Sequence, residues 1–127
     1  MTTCRFRSIS PFLAADDLPA TLAFYIDSLG FKLAWQWGSP IEMAAVCRDQ
    51  VEITLTCRAD ARPTGISRLY VQVSNIDSYL AQLLAADVPV TVAIDDRPYG
   101  MRDFSIIDPF GNILCFGQPL HGDDADA

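Results

Sequence analysis

Polar and apolar positions alternate along residues 6–14, FRSISPFLA, with Ile9, Pro11 and Leu13 on one face and Ser8, Ser10 and Phe12 on the other. A period of two marks a strand, because successive side chains leave the backbone on opposite sides. The period then lengthens. Leu18, Leu22, Tyr25, Ile26 and Leu29 recur at the spacing of one helix face. Asp17 is placed to cap the first turn, Pro19 sits where its missing N–H costs nothing, and Gly30 is placed to end the helix. Three strand-length segments follow, FKLAWQW, EMAAVCR and VEITLTC, separated by turn-compatible residues.

After a polar linker, RADARPTG, the pattern restarts. SRLYVQVS reads as a strand and Asn75 as a helix cap. Ile76, Tyr79, Leu80, Leu83, Leu84 and Val88 then form a second apolar stripe. VPVTVAI, MRDFSII and NILCFGQ follow as strands, with turns at DRPYG and DPFG. Strand, helix and three strands, twice over, is an internal duplication of units of about 60 residues. The units predicted are residues 5–58 and 66–119, inside one domain of residues 1–121. The acidic residues 122–127 lack apolar periodicity and are expected to be disordered.

Strand parity sharpens this picture. Val51, Ile53 and Leu55 oppose Glu52, Thr54 and Thr56, and Leu69, Val71 and Val73 oppose Arg68, Tyr70 and Gln72. Each strand thus has an apolar face suited to lie under a helix and a mixed face. The mixed face can line a cleft or simply meet solvent, and periodicity leaves both open.

Composition bounds the function. With 127 residues, half of them apolar and a fifth charged, the chain has one domain's length and material for a core. MTTCRFRSIS lacks the unbroken apolar run of a signal peptide, and no stretch approaches the roughly eighteen apolar residues of a membrane span. A cytoplasmic protein without membrane contact is the expectation. The net charge of −7, with one lysine among nine basic residues, argues against nucleic acid and favours cationic small molecules. Cys4, Cys47, Cys57 and Cys115 show no C-x-x-C pair and read as buried free thiols. The single histidine, His121, cannot build a histidine-based metal or proton-transfer centre. Asp95 and Asp96 read as turn residues before Arg97-Pro98, and Asp108 as the residue that makes the DPFG turn.

DDLPATLAFYIDSLGF resembles the first helix of the glyoxalase, bleomycin-resistance and extradiol-dioxygenase (vicinal-oxygen-chelate) superfamily. RPYGMRDFSIIDPFGN is similar to that family's second signature, and together the matches span about residues 6–118. The resemblance implies an α+β fold in which two βαβββ modules form a curled mixed sheet around a cleft. Enzymes of the family hold a divalent metal there with His, Gln or Glu at four inward strand positions. Those positions fall on Ser10, Thr54, Arg68 and Cys115, with Glu52 two residues from the second. Hydroxyls ligate a catalytic divalent ion poorly, and Arg68 would set a fixed positive charge against it. The expectation is therefore no metal and no cofactor. What remains is similar to the bleomycin-resistance subgroup, which sequesters a drug in a groove formed by two subunits. That implies a small aromatic or cationic organic ligand and a homodimer.

The candidate contacts follow. Trp35 and Trp37 share a face of the second strand with Phe31 and Leu33. They read either as core or as a stacking platform with N–H donors. Phe12, Thr54 and Tyr70 belong to the mixed faces, and Cys115 is the fourth inward strand position that the resemblance implies. Tyr99 and Met101 come from the resemblance, as residues bordering the cleft. Arg68, Arg102, Asp103 and Glu52 are the charged groups placed near it. Arg68 and Glu52 can instead pair with each other, and Arg102 with Asp103 can form a solvated edge. Two other functions stay open. One is an enzyme, either a metal-independent lyase or isomerase using Arg68, Tyr70 or Glu52, or a metalloenzyme with other ligands. The other is an interaction module whose cleft is filled by its own side chains.

Overall fold

The computed structural model describes residues 3–58 and 64–121. Asp17 starts the first helix as its position predicts, its Oδ1 accepting the Ala20 N–H at 3.0 Å, with Pro19 in the first turn. This helix, α1 (Leu18–Ala23), continues as a wider π-helical turn over Phe24–Ser28, in which the Leu29 N–H reaches the Phe24 carbonyl. Gly30 ends it at φ +83°, a left-handed conformation that only glycine adopts without strain. The Arg48 guanidinium occupies the space a Cβ would need there and donates to the Leu29 carbonyl at 2.9 Å.

Around α1 stand β1 (Phe12–Ala14), β2 (Lys32–Trp37), β3 (Met43–Arg48) and β4 (Val51–Thr56), forming a sheet in the order β1-β4-β3-β2. The second half repeats this. It comprises β5 (Arg68–Gln72), α2 (Ile76–Ala85), β6 (Val92–Asp96), β7 (Met101–Ile107) and β8 (Ile113–Pro119), in the order β5-β8-β7-β6. In each sheet the first strand is parallel to the fourth and the other pairings are antiparallel. The architecture is the α+β arrangement of two βαβββ modules.

The apolar parity positions build one core. Leu13, Val46, Ile53 and Leu55 from the first sheet meet Phe104, Ile106, Leu114 and Phe116 from the second, with Leu18, Tyr25 and Leu83 from the helices. Truncating one such large side chain to alanine costs about 2–5 kcal/mol, because the cavity adds to the lost transfer energy. The modules are also joined by hydrogen bonds on this helix side. Tyr25 donates to Asp108 at 2.8 Å, the Asn112 amide to the Ala14 carbonyl at 2.9 Å, and Tyr79 to the Leu29 carbonyl at 2.8 Å. Among the described residues no helix is long and apolar enough to cross a membrane.

Several expectations need correction. The first strand is far shorter than 6–14. Residues 3–10 are exposed and unpaired, and pairing begins where Pro11 accepts the Thr54 N–H. Alternation makes a segment fit to be a strand, but only a partner's hydrogen bonds make it one. Asn75 is not a side-chain cap. It adopts φ 54°, and the Ile76 N–H is satisfied by Gln118 Oε1 at 2.8 Å. The four thiols are unpaired, yet only Cys115 is buried and Cys4 is exposed. The acidic residues 122–127 and linker residues 59–63 lie outside the described residues.

Candidate functional site

Each sheet turns one face to the helices, and the opposite, open face is buried at its centre and exposed along its edge strands. On the open face of the first, register aligns Phe12, Thr54, Ala45 and Trp35 in one row across the strands. Thr56, Met43 and Trp37 form the next row. Thr54 and Thr56 are buried at the centre, whereas Phe12, Trp35 and Trp37 are 41%, 39% and 51% exposed. The indoles are therefore not core side chains. A bulge between Leu33 and Trp35 produces the arrangement. Leu33 aligns with Val46 and faces the helix side, and the extra residue turns Trp35 to the opposite face. The indoles thus do not share a face with Leu33, and Phe31 is buried in the core. The Arg58 guanidinium lies 5.2 Å from the Trp37 ring centre, a cation–π distance, and pairs with Glu42 at 3.7 Å.

The open face of the second sheet carries different chemistry in equivalent rows. Tyr70, Cys115, Ser105 and Val92 form one, and Gln72, Gly117, Asp103 and Asp95 the next. Asp103 is buried, and its carboxylate gathers three donors. Tyr70 donates to Oδ2 at 3.0 Å, Tyr99 to the same oxygen at 2.7 Å, and Arg97 Nε to Oδ1 at 2.8 Å. Arg97 reaches back from the Arg97–Gly100 turn and also donates to the carbonyls of Ala93 and Asp103. Burial alone would raise the Asp103 pKa, but the hydrogen bonds from Arg97, Tyr99 and Tyr70 outweigh it and hold it below the usual carboxylate range. The phenols respond oppositely. Tyr70 is pushed up by desolvation and by Asp103, and Tyr99 by its bond to Asp103 and by burial, so both stay protonated. Burial also raises the Cys115 thiol against the opposing Ser105 hydrogen bond, leaving it neutral rather than nucleophilic.

The arrangement depends on Gly117. The Tyr70 hydroxyl crosses β8 through the space where a Cβ at this position would stand. A glycine within a strand signals close approach by another group, a cue that the sequence reading did not use. Arg97, read from sequence as a turn neighbour, has no comparable cue. Its role rests on the fold of the turn.

The remaining candidates are dispersed. Arg102 aligns with Gln118 on the helix side, where it pairs with Asp77 at 2.8 Å and Asp96 at 2.9 Å. It clamps the start of α2 to the sheet, while its neighbour Asp103 is tied to Arg97, so the two do not form a solvated pair. Arg68 and Glu52 are exposed and lie in different sheets, so they are not ladder neighbours. Met101 is half-buried opposite Pro119. Ser10 lies in the exposed stretch before β1. The four positions assigned to the family's metal therefore offer two hydroxyls, a guanidinium and a neutral thiol, which do not fit a divalent ion. Among the described residues no group of three or more His, Cys, Asp or Glu is placed to hold one. A groove of about 790 Å³ runs between the modules, lined by residues including Phe31, Arg48, Val71, Tyr79 and Phe116. None of the candidate contacts lines it.

Similarity to known proteins agrees with this architecture. Among solved structures, TnmS3, an antibiotic binding protein from Streptomyces sp. CB03234, superimposes with a TM-score of 0.78 at 22% identity, covering 93% of this chain and 99% of that one. The bleomycin-binding protein from Streptomyces verticillus, complexed with copper(II)-bleomycin, gives 0.70 at 24%, covering 90% and 97%. Lactoylglutathione lyase from Agrobacterium tumefaciens gives 0.75 at 23%, covering 91% and 95%. At these identities the likeness establishes the fold and not the activity. A search of curated proteins finds no significant match. The model of the Glyoxalase/Bleomycin resistance protein/Dioxygenase superfamily matches residues 7–116, and the chain belongs to that superfamily.

Proposed function

We propose that this chain is a metal-independent binding protein of the bleomycin-resistance type, sequestering a small aromatic or cationic antibiotic-like compound as a cytoplasmic homodimer. One observation carries the reading. Phe12, Trp35, Trp37, Tyr70 and Tyr99 are each at least 39% exposed, and all stand on or over the open faces of the two sheets. Exposed rings on the same sheet face mark a surface suited to being covered. Indoles and phenols hold planar ligands by stacking and cations by their ring faces. The charge of −7 draws cations toward the protein.

The modules are tied through their helix sides, so neither open face has an opposing wall at that joint. A second copy supplies one, the β1–β4 sheet of one protomer facing the β5–β8 sheet of its partner. The antibiotic binding of TnmS3 and the bleomycin binding of the Streptomyces verticillus protein support the ligand-binding part of this reading. Calorimetric titration with metal-free bleomycin and other planar antibiotics tests it, with saturation near one ligand per groove expected. Trp35→Ala with Trp37→Ala should weaken binding about tenfold or more while leaving the circular dichroism unchanged. Unchanged affinity would remove the indole wall, and a monomer by sedimentation with ligand bound would remove the shared groove.

A further inference from the structure

We propose that Asp103 is a positioning residue for ligand recognition. It accepts hydrogen bonds from the Tyr70 and Tyr99 hydroxyls, so the two phenols meet a ligand as hydrogen-bond acceptors and select an aromatic compound carrying a protonated amine. This inference rests on the binding function proposed above and names the chemistry of one wall of that site.

The argument starts from donor and acceptor inventory. A tyrosine hydroxyl has one proton and two acceptor lone pairs, and a free one rotates to suit its partner. Here the proton is committed. Both hydroxyls donate to Oδ2 of Asp103, at 3.0 Å and 2.7 Å. A carboxylate cannot donate in return, so what each phenol can still offer is a lone pair. Donation to an anion also polarises the phenol and makes its oxygen a better acceptor. The rings themselves are open, Tyr70 49% and Tyr99 65% exposed, and present electron-rich faces beside those oxygens.

The surroundings determine whether this becomes an anion site. The Arg97 guanidinium pairs with the Asp103 carboxylate through Nε, and its Nη2 is held by the carbonyls of Ala93 and Asp103, so its charge is offset within the site. Asp95 lies beside Asp103 in the same row and adds a negative charge. Arg68 lies on the same strand face as Tyr70, two positions before it, and is a cation that opposes this preference. Cys115, next to Tyr70 in its row, is a neutral thiol and adds no charge. Two polarised acceptors, two ring faces and Asp95 outweigh one exposed guanidinium on a neighbouring row. The pair also cannot form without Gly117, because any side chain there would expel the Tyr70 hydroxyl from its path to Asp103.

The test uses three planar probes of similar size at mildly alkaline pH. These are 9-aminoacridine, a cation with N–H donors; acridine, neutral and without them; and anthracene-9-carboxylate, an anion. The wild-type protein should bind 9-aminoacridine most tightly and the anion least. Tyr70→Phe and Tyr99→Phe keep the rings and remove the oxygens. The double variant should lose about tenfold or more in affinity for 9-aminoacridine, with acridine changing by no more than about twofold. Asp103→Asn should collapse the same affinity ratio, because an amide can donate and lets the phenols reorient. A merely structural role for Asp103 would alter all three probes together and leave the ratio intact, which would overturn the proposal. Binding of planar probes without preference for the amine would overturn it too, while leaving the general binding function standing. No binding of any probe would remove both.

Discussion

Two aspartate–tyrosine assemblies occur among the described residues, built from the same groups and placed in opposite surroundings. At the joint between modules, Asp108 receives the Tyr25 hydroxyl, the Asn112 side chain and the N–H groups of Phe110, Gly111 and Asn112, all at 2.8–3.0 Å. Tyr25 there is fully buried, edge-on to Phe24 and Phe31. On the open face, Asp103 is equally buried, but both of its tyrosine rings stand in solvent. The hydrogen bonds are alike in length and the carboxylates alike in burial. The exposure of the rings is what separates a clamp that holds the fold from a surface that can hold something else.

The largest expected effect comes from removing the inner carboxylate. Asp108→Ala leaves the turn N–H groups and the Tyr25 hydroxyl without their partner, and should cost about 3–5 kcal/mol by urea unfolding. A loss as small as that of an exposed substitution would show that the joint does not carry the fold, and would break the contrast. Tyr25→Phe removes one bond from the same carboxylate while Asn112 keeps another. It should cost about 1–2 kcal/mol and leave ligand affinity unchanged. An effect on affinity would mean that the joint and the open face are coupled.

The smallest effect is a pH dependence that sharpens the contrast from the other side. Asp103 has its folded pKa held below the ordinary 3.8, so the unfolded chain binds its proton more readily. The stabilisation is therefore complete above the ordinary carboxylate range, and it is lost as pH falls through and below about 4. Asp103→Asn should flatten the acid limb of stability against pH, measured by urea unfolding at a series of acidic pH values. An unchanged slope would show that Arg97, Tyr70 and Tyr99 do not bind the ionised form preferentially.

Much of the fold was legible in sequence because it depends on local spacing. Asp17, Gly30 and the Asp108 turn act over a few residues, and the two apolar stripes repeat in register with the two sheets. What escaped depends on partners. Ile9 and Phe6 fit a strand by alternation, yet β4 pairs with β1 only from Thr54 onward, so they stand exposed. The bulge in β2 inserts one residue into a period of two, and nothing in FKLAWQW marks where the faces exchange. The site was legible as a set of faces rather than as a mechanism. Trp35, Trp37, Tyr70 and Tyr99 were readable as candidates. Asp103 was placed near the cavity beside Arg102, although the two side chains serve opposite faces. The gathering of Arg97, Tyr70 and Tyr99 on one carboxylate requires β5, β8 and β7 to be adjacent, which no local pattern encodes.

The bond from Asn112 to the Ala14 carbonyl joins groups 98 positions apart in the chain. Closing so long a loop costs entropy before the contact returns anything, so such a bond is expected to form late as the chain organises itself. Each module can assemble its own ladder from nearer partners first, and this latch then shuts one upon the other. Asn112→Ala should accordingly leave the refolding rate almost unchanged and speed unfolding, a shift confined to one limb of a stopped-flow chevron. That outcome would make the latch a determinant of how long the assembled protein persists rather than of how quickly it arrives.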